Sequence, residues 1–350
     1  RIHVADGPVP DVSFAELEHE VAALARTWED RLLERLVGLH GEEHGRALWS
    51  AWEARLPEYY KSATEITRAV LDIEHLQQLG EGTDLIVALH NEHGAGELLT
   101  RVLLYKTGGR ADLSAVMPVL EALGLSVVEE VPVRVARTEG GTSSDDVFVH
   151  DYGVLGPDGE ALDVATVGER VAAKITAVWH GQTESDRLDR LVILAGLTWQ
   201  EVGWLRAMRT YLLRVSAGFT LGYQNAAFAA NPGIAAQLVG YFRLRHDPAV
   251  ARDEAGEAAL RSRILEELDA VPSLDQDRIL RSYLRLIDAI VRTNAFRPGR
   301  DFLSLKIRSA DVPEMPKPYP LFEIFVHSPA MEGIHLRAGR VARGGIRWSD

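Results

Sequence analysis

The 350-residue sequence has no cysteine. That excludes disulfide bridges and thiolate zinc centres, and it fits a reducing compartment such as the cytoplasm. No apolar run is long enough to cross a bilayer. Positive charge is also scarce: 38 Lys and Arg face 51 Asp and Glu, a formal net charge of −13. General nucleic-acid binding needs a basic footprint, and adhesion to anionic lipid needs the same, so both partner classes are set aside. No G-x-G-x-x-G follows a strand, and there is neither a P-loop nor a G-x-S-x-G elbow. Arg1 to Pro8 lacks the pattern of a secretory signal. Nothing in these residues therefore binds a nucleotide or builds a serine nucleophile by a known motif.

What is present is ordinary material for buried cores: 46% hydrophobic and 25% charged residues. The length allows several domains. The chain opens on Arg1 rather than Met and closes inside a glycine motif, which reads as a segment of a longer polypeptide.

Residues 1–5 read as the tail of a strand. Ser13-Phe14-Ala15-Glu16 matches a capping box, and Leu17, Val21, Leu24, Trp28, Leu32 and Leu36 recur at helical spacing, predicting one long amphipathic helix. Gly38, Gly41 and Gly45 interrupt it. A second helix is expected near 46–55 and a third from the capping box Ser62-Ala63-Thr64-Glu65 to Gly80. The period then changes. Strands are predicted over 84–90, 98–106, 125–135 and 147–155, with a helix over 112–123 closed by Gly124 and a polar loop at 138–145. Two strand pairs around a helix make an α+β sandwich close to the ferredoxin-like layout. From Val167 to Arg292 the pattern is helical, about six helices, with caps at Thr198, Asn231 and Ser273. After Gly299 strands return at 302–308, 321–327 and 334–341, separated by the proline-rich stretch Val312–Pro320.

Several motifs carry possible chemistry. His40-Gly41-Glu42-Glu43-His44 matches the H-x-x-E-H zinc pattern, which needs both histidines on one face of a stable helix. The surrounding glycines favour a polar loop instead, and a zinc hydrolase is kept only as a reading to test. His90-Asn91-Glu92-His93 and His150-Asp151 lie at strand ends, where they could meet on a metal or amino-acid ligand or simply satisfy backbone. Trp179, Trp199, Trp204, Tyr211, Phe219, Tyr223, Tyr241 and Phe242 read as helix-packing core rather than an aromatic pocket. The most informative stretch is Ala342-Arg343-Gly344-Gly345-Ile346-Arg347-Trp348-Ser349-Asp350. A guanidinium grips a carboxylate through two parallel bonds, and glycines let backbone approach a small ligand. A sheet hairpin is the competing reading.

The stretch from Pro320 to Asp350 resembles the entrance to the catalytic region of the large bacterial NAD-specific glutamate dehydrogenases. Looser similarity runs back over Asp6-Gly7-Pro8-Val9-Pro10, Trp28-Glu29-Asp30, Tyr105-Lys106, Leu120 to Leu125, His150-Asp151-Tyr152-Gly153 and Arg292-Thr293-Asn294. The resemblance implies an α+β multidomain chain. Residues 1–12 would end a preceding ACT-like domain, 13–82 form a helical segment, 83–165 an ACT-like domain, 166–300 a helical domain and 301–350 the start of the substrate-binding half of the catalytic domain.

It further implies oxidative deamination of L-glutamate to 2-oxoglutarate and ammonia, with hydride passing to NAD and water attacking the iminium. Substrate contact is carried onto Arg343, with Gly344 and Gly345 as clearance and Arg347 as a loop-orienting residue. The smaller relatives have lysine where Arg343 stands, a departure that changes the contact geometry. The catalytic lysine and the NAD domain would follow Asp350, so no catalytic, cofactor-binding or metal residue is assigned. A cytoplasmic homo-oligomer, tetramer or hexamer, is expected, with an amino-acid effector at the ACT-like domain. The alternative is a non-catalytic, amino-acid-sensing ACT-type regulatory and assembly module.

Overall fold

A computed structural model describes residues 13, 26–80, 82–92, 98–136, 146–215, 218–312, 315–339 and 346–348, the last segment by its backbone. The architecture is α+β. The chain separates into two compact units: Arg1–Ile86 with Leu104–Arg110 and Pro132–His150, and Val87–Leu103 with Ala111–Val131 and Asp151–Asp350. The predicted strand at 1–5, the Ser13 capping box and the loop 138–145 lie outside the described residues, Ser13 itself apart.

In the first unit, helix α1 (Trp28–His40) starts at Thr27. The Thr27 hydroxyl accepts the Asp30 N–H, and the Asp30 carboxylate accepts the Thr27 N–H. The single helix predicted through Leu36 is therefore corrected: this box satisfies two free donors and begins a new helix at Trp28. Gly41, at φ 83°, ends it. Helix α2 (Glu42–Trp52) follows, beginning earlier than predicted. Gly45 lets α1 and α2 approach closely, since a Cβ there would sit 2.6 Å from the Val37 backbone. Helices α3 (Glu58–Ala63) and α4 (Ile66–Gln78) complete the helical part.

The capping box predicted at Ser62–Glu65 does not form. Pro57 starts α3 upstream, so Ser62 lies inside that helix and its hydroxyl donates to the Tyr59 carbonyl. Leu32, Leu36 and Ile73 are fully buried in this unit. Asp72 is buried beside them and accepts hydroxyl hydrogens from Tyr60 at 2.6 Å and Tyr105 at 2.5 Å.

Strands β1 (Leu85–Asn91), β2 (Thr100–Lys106), β3 (Ser126–Val135) and β4 (Val147–Leu155) form one sheet in the order β1-β2-β4-β3. Helix α5 (Leu113–Ala122) separates the two strand pairs, and α6 (Val164–Trp179) follows them. The chain order is thus ββαββα. Moving the first strand–helix pair of a ferredoxin-like βαββαβ unit to its end gives this same order and strand arrangement. The expected sandwich is present as a permuted variant. Helix α5 closes at Gly124 as predicted, with bonds from the Gly124 N–H to Glu121 O and from the Leu125 N–H to Leu120 O.

The second unit continues with a 3₁₀ turn (Arg187–Arg190) and helices α7 (Leu191–Leu194), α8 (Trp199–Val215), α9 (Leu221–Ala230), α10 (Pro232–His246), α11 (Glu254–Asp269) and α12 (Leu274–Ala289). The capping box before α8 forms: Thr198 N–H donates to Glu201 Oε2 at 2.9 Å, and Glu201 N–H donates to Thr198 Oγ1 at 3.3 Å. Ser273 Oγ accepts the Gln276 N–H at the start of α12. Asn231 precedes Pro232 as predicted, but its amide donates to Ala227 O and Gln276 Oε1 rather than capping α10.

The expected helix through Arg292 stops at Ala289. Residues Ile290–Thr293 form strand β5, where three β-branched side chains favour extended backbone. Strands β6 (Leu303–Ile307), β7 (Phe322–Ser328), β8 (Met331–Arg337) and β9 (Ile346–Trp348) complete a sheet in sequential order with every described neighbour antiparallel. Strand β8 begins at Met331, three residues before its predicted start, because Ser328 pairs with Met331 across a tight turn.

Candidate functional site

The glycine motif occupies the connection from β8 to β9. Arg343, Gly344 and Gly345 lie outside the described residues. Arg347 lies on β9, where its backbone pairs with Ile334 of β8. The two strands on either side of Arg343 in sequence are therefore hydrogen-bonded neighbours.

Helix α8 braces this sheet from below. Tyr211 donates its hydroxyl to Glu323 Oε2 on β7 at 2.6 Å, and its ring lies 5.6 Å from that of Phe325. Arg214 pairs with Glu332 on β8. Burial, then the bond to Glu323, raises the Tyr211 pKa; burial also raises Glu323 above its ordinary value, although the Tyr211 bond opposes this. Helix α8 holds the sheet with two polar ties and one ring contact, one helical turn apart.

Beneath α8 lies a charge network that sequence reasoning missed. Lys174 and Asp189 are fully buried and 2.9 Å apart. Arg206, 2% exposed, donates to Asp189 at 2.6 Å and to Asp186 at 3.1 Å. Arg209 adds a second bond to Asp186 at 2.6 Å. Burial lowers the Lys174 pKa to about 8 despite the attraction of Asp189. Burial disfavours charge on Asp186 too, but Arg206 and then Arg209 outweigh it and hold that carboxyl well below the ordinary range. The local signal was a run of alternating charge, Asp186 to Arg190, facing two arginines one helical turn apart. It resembles a solvated surface until the helices are packed.

The other candidates fall into place as structural groups. Gly41 divides the H-x-x-E-H match between two helices; His40 Nε2 faces Glu74 at 3.1 Å. Asn91 donates to Leu162 O at 2.9 Å and accepts the Thr100 hydroxyl at 2.8 Å. Glu92 pairs with Arg101, which also meets Glu129 at 2.6 Å and Asp151 at 3.7 Å. These carboxylates converge on a guanidinium. His93 lies outside the described residues. Among the described residues no group of three His, Cys, Asp or Glu could hold a metal. No helix among them is long and apolar enough to cross a membrane. Of the aromatic residues, Trp204, Tyr211, Tyr241 and Phe242 are buried core as read, whereas half-buried Trp199 edges an open cleft and Tyr223 is exposed, stacked on half-buried Phe219 at 5.8 Å.

A ferredoxin-like sandwich followed by a helical bundle tied to an antiparallel sheet fits the class of glutamate-dehydrogenase segments that the sequence resembles. Family models match in the same order along the chain: glutamate dehydrogenase helical motif 2 at 35–79, the ACT3 domain at 84–167, helical motif 3 at 183–248, and the bacterial NAD-glutamate dehydrogenase catalytic domain at 263–350. The chain is 36% identical to the NAD-specific glutamate dehydrogenase of Halomonas elongata over 348 residues, 97% of this chain and 21% of that protein. It is equally similar, at 36%, to those of Pseudomonas aeruginosa over 349 residues and Mycobacterium tuberculosis over 369, covering 97% and 99% of this chain and 21% and 22% of those proteins. The chain belongs to the bacterial NAD-specific glutamate dehydrogenase family, and it spans about a fifth of the length of these curated relatives.

Proposed function

We propose that this chain is the regulatory and assembly portion of an NAD-dependent glutamate dehydrogenase, together with the opening of its substrate-binding sheet. The whole protein would convert L-glutamate, NAD and water to 2-oxoglutarate, ammonia and NADH. The observation that carries this reading is the ordered succession of four glutamate-dehydrogenase segments along one chain. Both described sheets lack the parallel strand–loop–helix unit that cradles a dinucleotide. NAD belongs to the whole protein in this reading, and no step through it is given to this chain.

In this reading Arg343 meets a substrate carboxylate, Gly344 and Gly345 admit the ligand to the backbone, and Arg347 orients the loop from its place on β9. Substrate positioning of this kind lowers the entropic cost of aligning Cα with the acceptor. The division into a preceding ACT-like end at 1–12, helical 13–82, ACT-like 83–165, helical 166–300 and catalytic 301–350 belongs to the same proposal. So do a cytoplasmic location, a homo-oligomeric assembly and an amino-acid effector at the ACT-like domain. The fit of the ACT3 family model supports a regulatory role for 84–167.

The test is Arg343→Ala in the full-length protein. Loss of a substrate-carboxylate contact raises the glutamate KM by about tenfold or more, since charge-assisted bonds contribute roughly 1.5–3 kcal/mol. An unchanged KM and kcat would remove Arg343 from the site.

A further inference from the structure

A cleft of about 590 Å³ opens in the second unit between the start of α8 and the connection from β5 to β6. Its size is within the usual range for small-molecule sites. Half-buried Trp199 and Phe302, 40% exposed, form its aromatic walls. Trp204 lies deeper, held by Phe242 and Phe296 at ring distances of 5.3 and 5.1 Å. Arg297 and Arg300 stand at the mouth, three residues apart, and neither side chain meets a carboxylate or any other polar partner among the described residues. The cleft's anionic groups are Glu184 and Asp301. Glu184 faces His327 at 3.6 Å and Arg206 at 3.9 Å, while Asp301 is exposed between the arginine-bearing turn and Phe302.

We propose that this cleft binds a small anion carrying a planar ring. The ring lies against Trp199 and Phe302, and the anionic head meets Arg297 and Arg300. Two free guanidiniums beside exposed aromatic faces suit such a ligand: the cations recognise a carboxylate or phosphate, and the rings supply apolar area. Asp301 works against the head group and tunes its affinity. One wall is helical and the other leads directly into the sheet through β6. An occupied cleft therefore touches both the helical bundle and that sheet.

The test is calorimetry on the full-length protein without substrates. Phenyl phosphate and phenylacetate are the probes, with inorganic phosphate as the ringless control. At least one ring-bearing probe binds about tenfold more tightly than phosphate, a difference of about 1.4 kcal/mol. The Arg297→Ala/Arg300→Ala double variant weakens that probe by about tenfold or more. Trp199→Ala removes the preference for the ring. Asp301→Asn tightens binding, because it deletes a repelling carboxylate. The two ring probes distinguish phosphate from carboxylate recognition. Unchanged affinity in the double arginine variant, weaker binding in Asp301→Asn, or no saturable heat with either ring probe overturns the proposal. The readout needs no turnover, so its failure is separate from failure of the dehydrogenase reading.

Discussion

Tyr211 on α8 and Glu323 on β7 share a 2.6 Å hydrogen bond, 112 residues apart in sequence and both buried. Tyr211→Phe leaves Glu323 without that donor and costs about 1–3 kcal/mol. Glu323→Gln keeps an acceptor for the hydroxyl and removes the charge. Because burial raises the Glu323 pKa above 4.5, the folded state holds more protons than the unfolded chain above that pH. This contribution to stability is present below 4.5 and is lost as pH rises through the raised value. Chemical denaturation across that window shows the decline in the parent and a flatter profile in Glu323→Gln. Equal pH slopes would refute the assignment.

Lys174 gives the opposite sign. Its folded pKa of about 8 lies below the ordinary 10.5, so the unfolded chain binds more protons between those values. The charge costs stability at pH below 8, and that cost is relieved as pH climbs toward 10.5. Lys174→Met abolishes the relief, read as the change in denaturation midpoint between pH 7.5 and 10.

Asp189 holds Lys174 and Arg206 together in the same network. Asp189→Ala leaves two buried cations without their shared anion, and breaking a buried pair costs about 3–5 kcal/mol. The loss appears as a large drop in unfolding midpoint. A drop no greater than that of a surface substitution would show the network to be hydrated.

At Gly45 the expectation is steric. A methyl group there would stand 2.6 Å from the Val37 Cα and N, both backbone atoms that cannot rotate away. Gly45→Ala must separate α1 from α2 and costs about 1–3 kcal/mol, like other overpacking changes. Gly38, with nothing within 4 Å of the same position, is the control. Thermal unfolding of the two variants distinguishes the sites.

Thr198 and Ser62 began with the same sequence signature and have different roles. Thr198→Ala removes a formed cap and costs about 1 kcal/mol. Ser62→Ala stays within about 0.5 kcal/mol, as ordinary exposed positions do. Parallel denaturation curves measure both.

These pairs show which parts of the structure could be read from residues alone. The Thr198 and Ser273 caps and the Gly124 stop are local, so the residues that make them are a few positions apart and visible together. The Ser62 signature fails because Pro57, five residues upstream, starts a helix first. Thr27 was hidden because the apolar period continues across it. Strand β5 was hidden because Ile290, Val291 and Thr293 prolong a helical apolar pattern, and only pairing with β6 decides the matter. The network of Lys174, Asp189 and Arg206 depends on packing between separate elements, and no short motif encodes it. Arg343, Gly344 and Gly345 lie outside the described residues, and the structure adds the two paired strands, β8 and β9, on either side of them in sequence.

Helix α12 ends at Ala289 and β5 begins at Ile290, with no residue between them. A joint without spare chain keeps the start of β5 beside the end of α12, and the register shift between Ile290 and Arg292 follows directly on it. The last helix of the bundle and the edge of the sheet are spliced end to end.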